Sequence, residues 1–276
     1  MIKIGLTGWS EHVDLLNKNN ISLGEYSSVL PIVEIDTFFY GIPRVSTVAE
    51  WVKITPPTFK CVIKAHQSMT THRPWQDFYD SEKELYQKYL ESIQPLVSSD
   101  KLSAILCQFP ASFHCTTENI LYLKRLRKIF STLPLAIEFR HISWYLPENK
   151  QGMVEFMMQE QLSLLVVDEP QVLGKSIPFE PILTTSPLIF RLHGRNLEGW
   201  KTQGDDWRKK RTLYCYNRDE LNELALIVKA QLQQTTDIIV IFNNNSGGDA
   251  AANALTFKSL LNLEYKGLNP QQLNLF

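Results

Sequence analysis

The chain has no surplus of either charge: 28 Lys+Arg stand against 29 Asp+Glu, a formal net charge of −1. No overall field draws it onto nucleic acid or an anionic membrane, so any anion binding must be local. Its four cysteines, Cys61, Cys107, Cys115 and Cys215, show no CxxC spacing and read as reduced, structural thiols. No apolar run approaches the roughly eighteen residues of a membrane span, and the opening MIKIGLTGWSEH lacks the basic start and apolar stretch of a signal peptide. A cytoplasmic location is the expectation. HxH and HExxH spacings are missing too, and Gly5 and Gly8 alone do not make a dinucleotide fingerprint. No motif implies a cofactor and no metal site is assigned, although a divalent ion stays open where carboxylates and histidines converge.

What is present is a repeat of short runs, rich in apolar and β-branched residues, that each close on a polar group. There are eight: Ile2 to Thr7, Val33 to Thr37, Phe59 to His66, Leu102 to Phe109, Leu135 to Arg140, Leu162 to Asp168, Leu188 to His193 and Ile238 to Asn243. Near-continuous apolar runs suit parallel strands buried on both faces. Helical stretches with capping-box spacings, Ser81 with Glu84 and Asn217 with Glu220, lie between them. From Pro170 to Pro187 the chain is proline-rich without helical periodicity, so the helix after strand six is degraded or replaced by a loop. Eight βα units in 276 residues predict an α/β fold, a somewhat irregular (β/α)₈ TIM-type barrel spanning 1–266, followed by a short tail, 267–276. An open doubly wound sheet is the alternative.

Strand side chains alternate, so polar residues two apart share a face. Glu34 with Asp36, Lys64 with His66, Glu138 with Arg140, and Arg191 with His193 then all point inward at strand C-terminal ends, joined by Gln108, Asp168 and Asn243. That is where barrels of this type carry their sites. Glu138, His193, Lys64 and Glu34 are the candidate catalytic groups: Glu138 as acid or base, His193 as proton shuttle, Lys64 as a Schiff-base nucleophile if desolvated. Arg140, Arg191 and Arg195 are forks for a phosphate or carboxylate. Mutual ion pairing of the same residues, without a ligand, is the competing reading.

After strand eight, Asn243, Asn244, Ser246, Gly247 and Gly248 precede an alanine-rich helix, a loop where a phosphate could sit at a helix N-terminus. A tight turn capping that helix explains the same glycines. The connection after strand seven interleaves Arg195, Lys201 and the run Arg208 to Arg211 with Trp200, Trp207, Tyr214 and Tyr216, a mixture suited to phosphate contacts and base stacking. Beyond a Gly267 to Pro270 spacer expected to detach it from the last helix, the tail ends Gln272, Leu273, Asn274, Leu275, Phe276. QLNLF resembles the peptide by which bacterial replication and repair proteins bind the sliding clamp. Self-association or packing of the tail on the barrel is the alternative.

The blocks IGLTGW, VEIDTFFYGIP, VIKAH, CQFP, IEFRHISW, RLHGRN and FNNNSGGDAAANA resemble the YecE-like family, domain of unknown function 72, over almost the whole chain. The segment from Ser10 to Asn20 departs from it, since relatives often continue with aromatics after the Gly-Trp. The resemblance implies an eight-stranded barrel with a shared site at the strand ends, and no substrate. Two functional expectations follow from the residues. One is a phosphate-bearing ligand, nucleic acid included, at the barrel mouth of a protein recruited to the sliding clamp. The other is a small-molecule enzyme, an isomerase, lyase or hydrolase, acting on a sugar phosphate or similar metabolite.

Overall fold

The computed structural model describes residues 1–201 and 207–271. Its strands are β1 (Ile2–Thr7), β2 (Ile32–Ile35), β3 (Lys60–Lys64), β4 (Leu102–Gln108), β5 (Leu135–Glu138), β6 (Leu162–Leu164), β7 (Val166–Asp168), β8 (Leu188–Leu192) and β9 (Ile238–Phe242). All pair in parallel, in the order β6-β5-β4-β3-β2-β1-β9-β8-β7. β6 and β7 are the two halves of the predicted sixth strand, broken at Leu165. The lower half pairs with β5 and the upper with β8, while the Leu165 amide donates to the Ile137 carbonyl at 3.0 Å. One strand thus divides its hydrogen bonds between two neighbours, and the sheet curls into a nearly closed barrel.

The helices are α1 (Leu23–Tyr26), α2 (Thr37–Tyr40), α3 (Val45–Ile54), α4 (Glu82–Ser98), α5 (Thr117–Phe130), α6 (Pro147–Gln159), α7 (Leu197–Lys201), α8 (Trp207–Arg211), α9 (Arg218–Ala230) and α10 (Asp249–Leu260). α9 shows why they lie where they do. Asn217 and Glu220 form the reciprocal cap that the sequence predicts, and Leu221, Leu224, Ala225 and Val228, one helical face, are buried. Truncating Leu224 to alanine removes packing worth about 2 to 5 kcal/mol. Ser81 caps α4 by accepting from the Glu84 amide, whereas the Glu84 carboxylate reaches the Asp80 amide instead of closing the box. Between β7 and β8 there is no helix, as the proline-rich composition predicts. Where β1 meets β2, a side chain at Gly5 would place its Cβ 2.4 Å from the Ile32 carbonyl oxygen, so only glycine fits.

The opposite face, at the strand N-terminal ends, is locked by two polar anchors. Buried Lys101 donates to the Val52 carbonyl at 2.7 Å, and to the Thr55 carbonyl and hydroxyl at 2.8 Å each, closing the C-terminus of α3. Asn269 Nδ2 donates to the Gly24 carbonyl, Ser27 Oγ and the Ile54 carbonyl, and Thr58 Oγ1 donates to the Gly267 carbonyl. The spacer from Gly267 to Pro270 is therefore fastened to the barrel as far as Asn269. Gln272, Leu273, Leu275 and Phe276 lie outside the described residues. No helix among the described residues is long and apolar enough to cross a membrane.

Candidate functional site

Period-two alternation in β2, β5 and β8 places Glu34, Glu138 and Arg191 on the inner face, and all three are buried at the C-terminal end of the barrel. The Arg191 guanidinium grips Glu34 through Nε to Oε2 at 2.8 Å and Nη2 to Oε1 at 2.6 Å, and its Nη1 donates to Glu138 Oε2 at 2.5 Å. All three guanidinium nitrogens are engaged and the side chain is 1% exposed, so Arg191 is an internal strut and presents no open edge to a ligand. Arg140 is the second hub. Its Nε faces Glu138 Oε1 at 2.5 Å, Nη1 donates to Glu169 Oε2 at 2.8 Å, and Nη2 donates to His193 Nε2 at 2.9 Å. At 16% side-chain exposure, Arg140 is the hub that reaches the surface of the mouth.

These contacts fix the protons. A guanidinium only donates, so His193 Nε2 must carry a lone pair and its proton must sit on Nδ1. The 2.7 Å contact with the Asn243 amide is then an acceptance by the amide oxygen, with the carboxamide turned over. Burial, reinforced by Arg140, pushes the imidazole down to about 3, which keeps it neutral. Burial pushes Glu34 up to about 7 against the opposing pull of Arg191, and Glu169 up to about 7 against Arg140. In Glu138 burial works the same way but two guanidiniums outweigh it, holding the carboxyl well below its ordinary range. Neighbouring carboxyls thus differ in proton affinity, the pattern that separates acid from base roles in catalytic sites.

Asp168 takes Arg195 through both oxygens, at 3.0 and 3.1 Å from Nε, and accepts from the Tyr216 hydroxyl at 2.6 Å. Tyr216 in turn accepts from the Gly194 amide at 2.8 Å. The sequence counts Tyr216 among the aromatics available for stacking; it is buried and spent on this bond. Gly194 stands at φ +92°, with a Cβ there only 2.5 Å from that of Tyr214, so the turn that delivers Arg195 requires glycine. Asn244 is also buried, donating to the Tyr214 carbonyl and Asn253 Oδ1, and therefore holds the loop instead of lining the mouth. Ser246, Gly247 and Gly248 are exposed ahead of α10, with Ser246 Oγ 2.5 Å from the Thr212 hydroxyl.

Lys64 Nζ lies 3.7 Å from Asp36 Oδ2 and 4.6 Å from the Phe39 ring centroid. Arg211, from the basic run, stacks its guanidinium 4.3 Å from the Trp200 ring centroid, and burial together with the like charge of Arg140 lowers its proton affinity. That loop therefore lies within electrostatic range of the mouth. Glu169 is the contributor that alternation misses: two consecutive acids end the sixth strand, and the chain turns after Asp168, bringing Glu169 back inside. Its Oε1 also accepts from the Ile177 amide at 3.2 Å, tying down the segment before β8. A groove of about 710 Å³ lies elsewhere, against α6 between Val154, Phe179 and Ile182. Its charged groups, Lys150 with Glu180 and Glu155, lie at its half-buried to exposed rim, whereas the mouth gathers buried carboxyls, guanidiniums and an imidazole in direct contact, so the candidate site is the mouth. Among the described residues no group of three or more His, Cys, Asp or Glu is arranged to hold a metal ion.

The family model described as "Protein of unknown function DUF72" matches residues 3–274. The chain is similar to the UPF0759 protein YunF of Bacillus subtilis (strain 168), 41% identical over 282 residues with both chains fully covered. Among solved structures it is similar to a DUF72 family protein from Enterococcus faecalis V583, at 48% identity and TM-score 0.95, covering 99% of this chain and all of that one. A DUF72 family protein from Thermotoga maritima MSB8 is 31% identical with TM-score 0.78, covering 95% of this chain and all of that one.

Proposed function

Starting from the fact that the chain belongs to the DUF72 family, we propose that it binds a phosphate-bearing ligand at the barrel mouth, with nucleic acid the favoured class. One observation carries the reading: the basic loop after β8 sets Arg211 within electrostatic range of Arg140 and Glu169, with its guanidinium over the Trp200 ring and Lys209 and Lys210 exposed beside it. Cations and a π-face set along one rim suit phosphates and bases together. An arriving phosphate competes with Glu169 for Arg140, and Glu169, pushed up to about 7 by burial, takes a proton as the guanidinium leaves.

The tail extends the proposal. QLNLF, lying outside the described residues, docks on the bacterial sliding clamp. Burying Leu273, Leu275 and Phe276 gives roughly 5 to 9 kcal/mol before ordering costs, the scale of an approximately micromolar contact. The anchor at Asn269 is on the face opposite the mouth, so a clamp and a mouth ligand do not compete for the same surface. The reading is tested by anisotropy of a labelled single-stranded oligonucleotide at increasing salt. Binding should weaken steeply, and Lys209→Ala with Lys210→Ala should reduce the log–log slope by about 1.4. Salt-independent binding, or none, overturns it.

A second reading, a metabolite enzyme of the isomerase, lyase or hydrolase type, is favoured by the split proton affinities of Glu34, Glu138 and Glu169. In it Glu169 is the acid and Glu138 the permanently ionised partner. His193 serves as a base only after Arg140 has left its Nε2.

A further inference from the structure

We infer that the β2–β3 sector of the mouth is a subsite for a hydroxylated carbon skeleton, the sugar or polyol portion of the ligand; this rests on the phosphate reading for the other end of the same molecule. Ile35 pairs with Ile63 across the two strands, which sets the next residues, Asp36 and Lys64, side by side. Among the described residues the Lys64 ammonium donates no hydrogen bond: its neighbours are Asp36 Oδ2, too far at 3.7 Å, and the Phe39 ring. Asp36 Oδ1 is buried with no partner either. Two residues beyond Lys64, His66 accepts from the Ser68 amide at Nδ1, so its Nε2 bears hydrogen, and that atom too is buried and unpartnered.

The unfilled Lys64 donor and the unfilled Asp36 acceptor beside it together select the occupant. A bare oxyanion would satisfy Lys64 but face Asp36, and a cation would satisfy Asp36 but face Lys64. A hydroxyl does both at once, accepting from the ammonium and donating to the carboxylate. The Phe39 face offers an apolar wall for the attached carbons. The sector is open to entry, Lys64 at 11% and Asp36 at 32% side-chain exposure. Arg140 and Arg211 supply the anion-binding side of the mouth, so the ligand class is a phosphorylated sugar or polyol, free or as part of a nucleotide.

Isothermal titration of ribose 5-phosphate and of inorganic phosphate against the wild type, Lys64→Met and Asp36→Ala tests this, with thermal melts to show that the variants fold; either variant alone suffices. In the wild type the sugar phosphate should bind about tenfold or more tighter than phosphate, and each variant should lose most of that margin, since a hydrogen bond to a charged group carries about that factor. Phosphate affinity should persist in Asp36→Ala. Equal affinities in the wild type, or a margin untouched in both variants, overturn the subsite and leave the phosphate reading standing. Failure of both probes to bind overturns both. Margin loss with ribose 5-phosphate but not with an oligonucleotide assigns the subsite to a free metabolite.

Discussion

Replacing Arg191 by methionine removes the guanidinium that grips Glu34 and one of the two that hold Glu138, in a space without solvent. Methionine fills much of the volume, so the loss is electrostatic: a broken buried pair costs about 3 to 5 kcal/mol, or about 6 to 20 °C in melting temperature for a chain of this size. The sign with pH follows from the direction of each shift. Glu34 is already pushed up to about 7 with Arg191 in place, and without it Glu34 moves further up while Glu138 rises from its lowered position. A carboxyl raised in the folded state keeps a proton that the unfolded chain has released, so its contribution falls as pH rises above the ordinary range near 4.5. The deficit of the variant should therefore be larger at about pH 8 than at about pH 5.5. Thermal unfolding followed by circular dichroism at both values reads it, and adding Glu34→Gln should recover part of the loss. A drop below about 3 °C, or one equal at both pH values, refutes the view that Arg191 is a strut between buried charges.

Three other outcomes are expected. Glu169→Gln keeps an acceptor for the Ile177 amide but removes a carboxyl raised to about 7, so its melting temperature should improve relative to the wild type as pH rises from about 4.5 to 7; a constant difference contradicts the assignment. In ¹⁵N NMR, His193 should appear as the neutral Nδ1–H tautomer with no titration down to about pH 5, because it is held near 3; a midpoint above that value means that Arg140 does not occupy Nε2. Asn269→Ala deletes three hydrogen bonds to the barrel floor, which should cost about 1 to 3 kcal/mol and speed proteolytic trimming of the C-terminus, and unchanged trimming would show that the strap is held by something else.

Much of this molecule follows from local pattern alone. Eight apolar runs, their polar ends and the cap at Asn217 are set by nearest-neighbour chemistry, and alternation within a strand is enough to turn Glu34, Lys64, Glu138, Arg140, Arg191 and His193 toward one cavity. What alternation cannot say is who holds whom. Glu34 and Arg191 are 157 residues apart, and only closure of the barrel brings them together; in that closure the sixth strand changes partner at Leu165, which is invisible in a run that reads as one strand. The same closure turned Arg191 from a prospective ligand fork into a strut, gave Tyr216 to Asp168, and brought Glu169 inside against the strand parity. Lys101 and Asn269 earned no attention as sequence, because a lysine or asparagine beside a turn is ordinary until three acceptors from distant segments surround it. Face and element are properties of a few consecutive residues, whereas partnership of buried charge is a property of the packed whole, since a guanidinium enters a dry interior only where folded neighbours complete its hydrogen bonds.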